Sequence, residues 1–522
     1  MDFALILLIV GWIFCLIWIP LVIKANSKIH PRALFVCFFA EMWERFSYYG
    51  MRALLTLYMV KVVFQQIASG EADVKSLAIY GTYTASIYLG PIIGGMMADK
   101  YLGFRKSILL GGVLISLGHI ALAAQGLIAE TNEFFFFIAL AFIVVGTGYF
   151  KPNISSFLGK FYKQDDPRKD PAYNIFYMGI NVGAFLSALT CGYLGEQVGW
   201  HWGFGLAGIG MFIGLFVFWK NLKYFGDKGL VPDIKYDTQG FFAGLSLNKI
   251  IILLSLVAVP LWAILFSYDD VFKIGLSGIT VVVLVYLIYL STKYENGSRL
   301  LVVLILFVFH AMFWALFEQA GGSLTLITDR FVDRTIGNSE IPASQFQALN
   351  AFFIIIFAPV FAWLWMKLNK LKAEPSTPLK FVYSLVLLAI GFLIIVLGAK
   401  SAMESGESII VWAIVFMYLF HTLGELCLSP VGLSMVTKLS PPDIVGFTMG
   451  AWFLSYSVGN KVATEIGKLI SVGDLDENAS MAEQISPYVD VYLQWGVYVV
   501  LGCAVVLLAL VPVLKKLMKG IH

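Results

Sequence analysis

Short polar connections divide the chain into fifteen apolar runs, at residues 3–23, 33–62, 76–98, 106–127, 134–159, 173–195, 202–221, 247–267, 272–292, 300–328, 344–366, 380–399, 408–436, 444–470 and 488–514. A helix needs about 20 apolar residues to cross a bilayer. Inside lipid, every backbone polar group must be satisfied within the segment itself. The pattern therefore predicts an all-α integral membrane protein. Charged residues make up 13% of the chain and hydrophobic ones 59%, whereas soluble domains carry about 25% charge. That balance leaves no room for a large soluble enzyme or sensory domain. The net charge of +3 carries no signal for nucleic acid.

The placement of charge is more informative than its sum. Lys and Arg crowd alternate connections: Lys24, Lys28 and Arg32; Lys100, Arg105 and Lys106; Lys160 to Lys169; Lys220 to Lys235; Lys293 and Arg299; Lys367 to Lys380; Lys438; Lys515, Lys516 and Lys519. Basic connections face the cytoplasm. With fifteen spans, the C-terminus is then inside and the N-terminus outside. Asp2 stands where a signal peptide has basic residues, and the basic residues follow the first span, so 3–23 reads as an uncleaved helix. The five cysteines lie in or beside apolar runs at irregular spacing, which fits small buried hydrophobes rather than disulfides or metal ligands. The longest connection, 222–246, has the look of a hinge between two halves. The division expected is 1–32 as an extra helix and linker, 33–222 as a six-helix bundle, 223–296 as hinge plus two inserted helices, and 297–522 as a second six-helix bundle.

Four charges sit inside the second apolar run, in Glu41-Met-Trp-Glu44-Arg45-Phe-Ser-Tyr48-Tyr49-Gly50-Met-Arg52. Each costs roughly 2.5–3.5 kcal/mol near a bilayer centre on insertion scales. At helical spacing Glu41, Arg45, Tyr48 and Arg52 form one polar stripe, which should face water or other charges. Lys151, in Gly146-Thr-Gly-Tyr-Phe-Lys151-Pro152-Asn-Ile-Ser, is far from either end of its span. It needs a carboxylate partner or a hydrated cavity, and a snorkelling lysine is the plainer alternative. Pro152 can bend the helix beside it. Glu318 and Glu425 are lone carboxylates in apolar helices of the second half. Desolvation and nearby cations act on such a group in opposite directions. A permanent structural ion pair is the competing reading for each. Tyr80, Thr84 and Tyr88 share a helical face, as do Tyr177 and Asn181. Trp314, Asn350, Trp452 and Ser455 are further cavity candidates. His310 and His421 read as hydrogen-bonded partners between helices. No metal-ligand spacing, catalytic triad or phosphate loop stands out.

Two levels of resemblance follow. Gly94-Gly-Met-Met-Ala-Asp99-Lys-Tyr-Leu-Gly103-Phe-Arg105-Lys106 resembles the cytoplasmic loop motif of the major facilitator superfamily, with Asp99 and Arg105 able to pair. More specifically, the 41–50 segment resembles the ExxERF-x-YYG signature of the proton-dependent oligopeptide transporters. The segments Gly146 to Ser155, Phe176 to Gly183, Trp314 to Gly321, Gly424 to Pro430 and Gly450 to Ser455 match that family in order. The match extends from residue 33 to about 515.

The resemblance implies a major facilitator fold: two six-helix bundles, with two helices inserted between them and one extra helix at the N-terminus. It implies import of di- and tripeptides with protons by alternating access, in a bacterial inner membrane. No cofactor is implied beyond the proton gradient, and no catalytic residue, enzyme activity or metal. A working monomer is expected. Carried over, Glu41, Glu44, Arg45, Lys151 and Glu318 would couple protons. Tyr48, Tyr49, Arg52, Tyr88, Lys151, Asn181, Trp314, Asn350, Glu425, Trp452 and Ser455 would bind the peptide. Arg52 with Glu318, and Lys151 with Glu425, would form gating salt bridges. The histidine of animal members is absent, with Gly81 in its place, so coupling should rest on carboxylates. Nitrate or a modified amino acid remains an alternative substrate, and a transporter-like receptor a more distant one. The span 3–23 departs from the family pattern.

Overall fold

The computed structural model describes residues 2–128, 132–163, 165–471 and 479–518. Its helices are α1 (Phe3–Asn26), α2 (Arg32–Tyr58), α3 (Ser69–Met97), α4 (Phe104–Ile128), α5 (Glu133–Gly159), α6 (Lys169–Tyr193), α7 (Trp200–Lys220), α8 (Lys235–Thr238), α9 (Leu247–Phe266), α10 (Asp269–Lys293), α11 (Ser298–Phe317), α12 (Ser323–Phe331), α13 (Ala348–Lys370), α14 (Thr377–Ser405), α15 (Val411–Leu439), α16 (Val445–Ser471), α17 (Met481–Val491) and α18 (Val500–Leu517). A 3₁₀ turn, Glu318–Gly321, joins α11 to α12, and a π-helical stretch, Tyr492–Val499, joins α17 to α18. Counting each joined pair once and leaving aside the one-turn α8, every apolar run of the sequence is a helix.

Among the described residues, twelve helices are long and apolar enough to cross a membrane. The three remaining long helices are α2, α3 and α16. Each buries polar side chains: Glu41, Glu44, Arg45 and Arg52 on α2, Thr82, Thr84 and Ser86 on α3, and Ser455, Ser457, Asn460, Lys461 and Thr464 on α16. Groups too costly to place against lipid are turned inward, and these helices carry much of the candidate site.

The chain forms two compact units. The first comprises residues 1–64, 86–268 and 335–351. In it α2 packs on α6 and α7, α4 on α5 and α7, and α9 on α5. Phe157 anchors an aromatic core, its ring centroid 4.9 Å from that of Phe225 and 6.0 Å from that of Phe104. Connection 222–246 is a largely exposed segment with secondary structure of its own. It holds a 3₁₀ turn, α8 and a two-stranded hairpin, β1 (Gly240–Phe242) with β2 (Leu245–Ser246). This corrects the expected Asp99–Arg105 pairing. Arg105 Nε donates to the Lys228 carbonyl at 2.7 Å and a terminal nitrogen donates to the Gly226 carbonyl. Lys106 pairs with Asp237. The guanidinium satisfies carbonyls of a connection that folds back on it.

The extra helix α1 belongs to this unit. The Trp12 indole donates to Thr190 Oγ1 on α6 at 2.9 Å, and its ring lies 6.3 Å from Trp43 and from Phe46 on α2. Segment 335–351 is tied to α6 and the turn after it. The Glu196 carboxylate accepts the backbone N–H of Ala343 at 3.2 Å and of Ser344 at 2.8 Å, and the Gln345 amide donates to the Leu189 carbonyl at 2.8 Å.

The second unit comprises residues 65–85, 269–334 and 352–522. Here α14 packs on α15 and α18, α11 on α16, and α10 on both α11 and α16. Asp269, at the start of α10, accepts Thr82 Oγ1 at 2.8 Å and Lys468 Nζ at 2.8 Å, and pairs with Lys461. Arg330 holds Asp73 through two bonds of 2.7 Å. These ion pairs fix the first half of α3 and the inserted helix α10 to the rest of the unit.

Candidate functional site

In the first unit the site is built on α2. Arg45 Nε lies 3.0 Å from Glu41 Oε1 and 2.5 Å from Glu44 Oε2. All three residues are at most 4% exposed. The Glu41–Arg45 pair follows from four-residue helical spacing. The Glu44–Arg45 pair does not, because neighbours on a helix diverge. It forms because the long arginine reaches back while Glu44 is shut away from water. The guanidinium carbon of Arg45 also sits 5.6 Å from the Tyr48 ring centroid, and that of Arg52 is 5.8 Å from Tyr49. Tyr48 and Tyr49 meet edge to face at 5.1 Å. The stripe read from sequence is therefore a layered column of carboxylate, guanidinium and aromatic rings.

Lys151 is placed by a seam of glycines. A Cβ on Gly94 would come within 2.0 Å of the Gly148 carbonyl oxygen, and one on Gly90 within 3.1 Å of Gly148 Cα. Helices α3 and α5 can approach this closely only without side chains there. Pro152 has no N–H to offer the Gly148 carbonyl one turn back, and that oxygen faces the Gly94 backbone instead. The Asn153 amide bridges the seam, donating to the carbonyls of Gly94 at 3.2 Å and Tyr149 at 2.7 Å. This sets Lys151 Nζ 3.9 Å from the centroid of Tyr88, a cation–π contact. The Lys151 charge also acts on both Glu41 and Glu44. On the far side of α2, Gly183 lets α6 come close: a Cβ there would meet the Met42 carbonyl oxygen at 2.2 Å. Asn181, two residues earlier, is 6% exposed and donates to the Tyr177 carbonyl at 3.1 Å. Asn350, half-buried near the start of α13, falls in the segment tied to this unit.

In the second unit the candidates gather around a neutral histidine. The Trp314 indole donates to His310 Nε2 at 3.0 Å. His310 Nδ1 is 2.6 Å from Ser455 Oγ, which donates to the Trp452 carbonyl at 2.5 Å. The incoming indole N–H makes Nε2 the acceptor, so Nδ1 carries the hydrogen. His310 is thus the hub that joins Trp314, Trp452 and Ser455, its ring 4.3 Å from Trp452 and 4.7 Å from Tyr456. The expectation of a satisfied interhelical histidine describes it well. Glu318 is 3% exposed and opens the 3₁₀ turn between α11 and α12. The Gln319 amide holds that turn by donating to the Ala463 carbonyl at 2.7 Å. Tyr80 packs against the turn at Gly321. Glu425 is half-buried on α15. Gly81 has no space for a side chain, since a Cβ would fall 1.5 Å from Thr464 Oγ1.

Three contributors escaped the sequence reading. Lys461, 4% exposed, carries the same signal as Lys151, an ammonium well inside an apolar run. Asp269, half-buried at the start of α10, is an ion-pair partner of Lys461. Tyr456 lines the His310 hub. The five cysteines are free, and four are buried, as expected. Among the described residues, no group of three or more His, Cys, Asp and Glu could hold a metal.

The chain has counterparts among known proteins. The model of the POT family (PTR2) matches residues 105–483. An uncharacterized transporter of Bacillus subtilis, YclF, is 37% identical over 501 residues, covering 94% of this chain and 96% of that one. The peptide transporter YePEPT of Yersinia enterocolitica is 36% identical over 510 residues, with 94% and 96% covered. A crystal structure of a peptide transporter POT mutant in complex with sulfate superposes with a TM-score of 0.78 at 36% identity, covering 94% of this chain and 96% of that one. A POT family transporter in complex with 5-aminolevulinic acid gives 0.77 at 29% identity, with 93% and 97% covered. The fold is that of these structures, the major facilitator fold, and the chain belongs to the POT family of membrane transporters.

Proposed function

We propose that the chain is a proton-coupled symporter that imports di- and tripeptides by alternating access. Relatives of similar length support the peptide reading: YePEPT of Yersinia enterocolitica, and the dipeptide and tripeptide permease A of Erwinia pyrifoliae at 32% identity over 502 residues. The observation that carries the coupling is the buried Glu41–Arg45–Glu44 triad with Lys151 acting on it. Two carboxylates and two cations balance. A proton taken up by either glutamate upsets that balance and leaves Lys151 in need of an anion. A peptide's terminal carboxylate supplies one. Loss of the proton restores the internal pairing and weakens the hold on the peptide.

Within this proposal, Lys151 and Arg52 face the peptide carboxylate, and Glu425 with Asn350 faces its amine. Tyr48, Tyr49, Tyr88, Asn181, Trp314, Trp452 and Ser455 line the path. Arg52 with Glu318, and Lys151 with Glu425, serve as gating salt bridges, and Glu318 shares in proton switching. Residues 33–222 and 297–522 serve as the two transporting bundles. The protein works as a monomer in a bacterial inner membrane, N-terminus periplasmic and C-terminus cytoplasmic, driven by the proton gradient without a cofactor. A second reading, another small zwitterion as cargo, is favoured by the relative described with 5-aminolevulinic acid. Uptake of labelled dialanine into proteoliposomes, with and without an inward proton gradient, tests the proposal. Gradient-dependent accumulation is expected. Absence of peptide flux, with 5-aminolevulinic acid taken up instead, selects the second reading.

A further inference from the structure

A cavity lies in the second unit, where α13 turns into α14, bounded also by α15 and α18. Its volume is about 870 Å³. Its lining includes four lysines, Lys372, Lys380, Lys438 and Lys515, against one carboxylate, Glu374. Lys380 is 6% exposed, its ammonium 2.5 Å from Glu374 Oε1 and 4.5 Å from the Trp365 ring centroid. The Asn369 amide holds the other Glu374 oxygen at 2.7 Å.

Two further features mark the cavity as an anion site. Ser376, only 8% exposed, occupies the N-cap position of α14, yet its side chain makes no capping bond and its Oγ has no partner. The Trp365 indole nitrogen is likewise buried without a partner. Buried donors left unused are costly, and they sit here beside an excess of ammonium groups and the positive end of the α14 dipole. The first turn of α14 even carries a lysine, Lys380, where the dipole favours an acid. This surplus of positive potential is out of place unless an anion shares the pocket. The flanking surface of α13 is apolar and aromatic, with Trp363, Met366 and Leu371 exposed at 55%, 61% and 65% and Lys367 over the Trp363 ring. Such a belt marks the headgroup level of a bilayer.

We propose that this pocket binds a phosphate group, supplied in the membrane by the headgroup of an acidic phospholipid whose chains lie along α13. Glu374 acts as the resident counter-ion that keeps Lys380 in place, while Lys372, Lys438 and Lys515 meet the phosphate. Basic pockets between membrane helices recognise acidic headgroups in this way. The site is separate from the transport residues, so its test does not depend on the peptide reading.

The test uses the full-length protein, delipidated in detergent. Phosphatidylglycerol, phosphatidylcholine and inorganic phosphate are titrated separately, with bound lipid read by native mass spectrometry and phosphate by thermal shift. Phosphatidylglycerol should bind in preference to phosphatidylcholine. The double variant Lys438→Gln/Lys515→Gln should weaken it by roughly fivefold per lysine removed. The control variant Lys220→Gln/Lys223→Gln, which alters basic residues of the first unit, should leave it within twofold of the native chain. Inorganic phosphate that displaces the lipid from the native chain supports a phosphate-reading pocket. Inorganic phosphate that binds alone, with no lipid preference, keeps the phosphate site and overturns the lipid source. Equal losses in the two double variants, or no preference on the native chain and no response to phosphate, overturn the proposal.

Discussion

Two buried polar centres, one in each unit, meet the same cost in different ways. The α2 centre is ionic: Glu41, Arg45 and Glu44 are nearly closed to solvent and answer one another's charge. The His310 centre is neutral: Trp314, His310, Ser455 and the Trp452 carbonyl pass hydrogen bonds along a chain with no net charge. A closed network of neutral bonds has nothing to gain from a proton. A cluster of buried carboxylates held by shared cations changes its balance when one arrives. In the proposed function, proton response therefore belongs to the first centre and shape to the second.

Breaking the ionic centre should have the largest effect. Arg45→Ala strands two buried carboxylates, and loss of one partner of a buried pair costs about 3–5 kcal/mol. Unfolding of the detergent-solubilised protein should show that loss, together with abolished uphill uptake. Next, Gly81→His asks whether a histidine can be accommodated on this face of α3. The Thr464 side chain occupies that space, so the variant should lose roughly 3 kcal/mol, the upper end of overpacking costs, without a new titration in uptake.

A smaller effect sharpens the contrast. His310→Phe leaves the Trp314 indole and Ser455 without their shared partner, at about 1–2 kcal/mol. Stability should fall by that amount while the pH dependence of uptake keeps its shape. A shifted pH profile would place proton chemistry in the second centre after all. The smallest effect lies at the basic pocket. Burial works against ionisation of Glu374, but hydrogen bonds from Lys380 and Asn369 outweigh it and hold the carboxyl below its usual range. A carboxylate depressed by folding stabilises above its unfolded value, and the contribution fades as pH falls through the folded one. Glu374→Gln should remove this acid-side slope, worth less than about 1 kcal/mol for a rim pair.

The helices were legible in sequence because a bilayer demands long apolar runs, and each run from 3–23 to 488–514 became one. The interruptions were not. The 3₁₀ turn at Glu318–Gly321 depends on Gln319 reaching the Ala463 carbonyl, a contact 144 residues away. Arg105 was expected to bond Asp99, and chain proximity suggested nothing else. Its actual partners are backbone carbonyls, which carry no sequence signature. The Glu41–Arg45 pair was readable from helical spacing, whereas Glu44 joins it through burial alone. Lys461 carried as clear a signal as Lys151, but its partner Asp269 sits at the end of an inserted helix, where an acid reads as a cap.

The measurement that bears most directly on the account is simultaneous recording of proton and dialanine flux in proteoliposomes, for the native chain and for Glu44→Gln. The native chain should accumulate peptide with a matching proton influx. The variant, neutral at one arm of the triad, should exchange peptide across the membrane without accumulating it or moving protons. Retention of proton-driven accumulation by Glu44→Gln would contradict the assignment of coupling to the α2 centre.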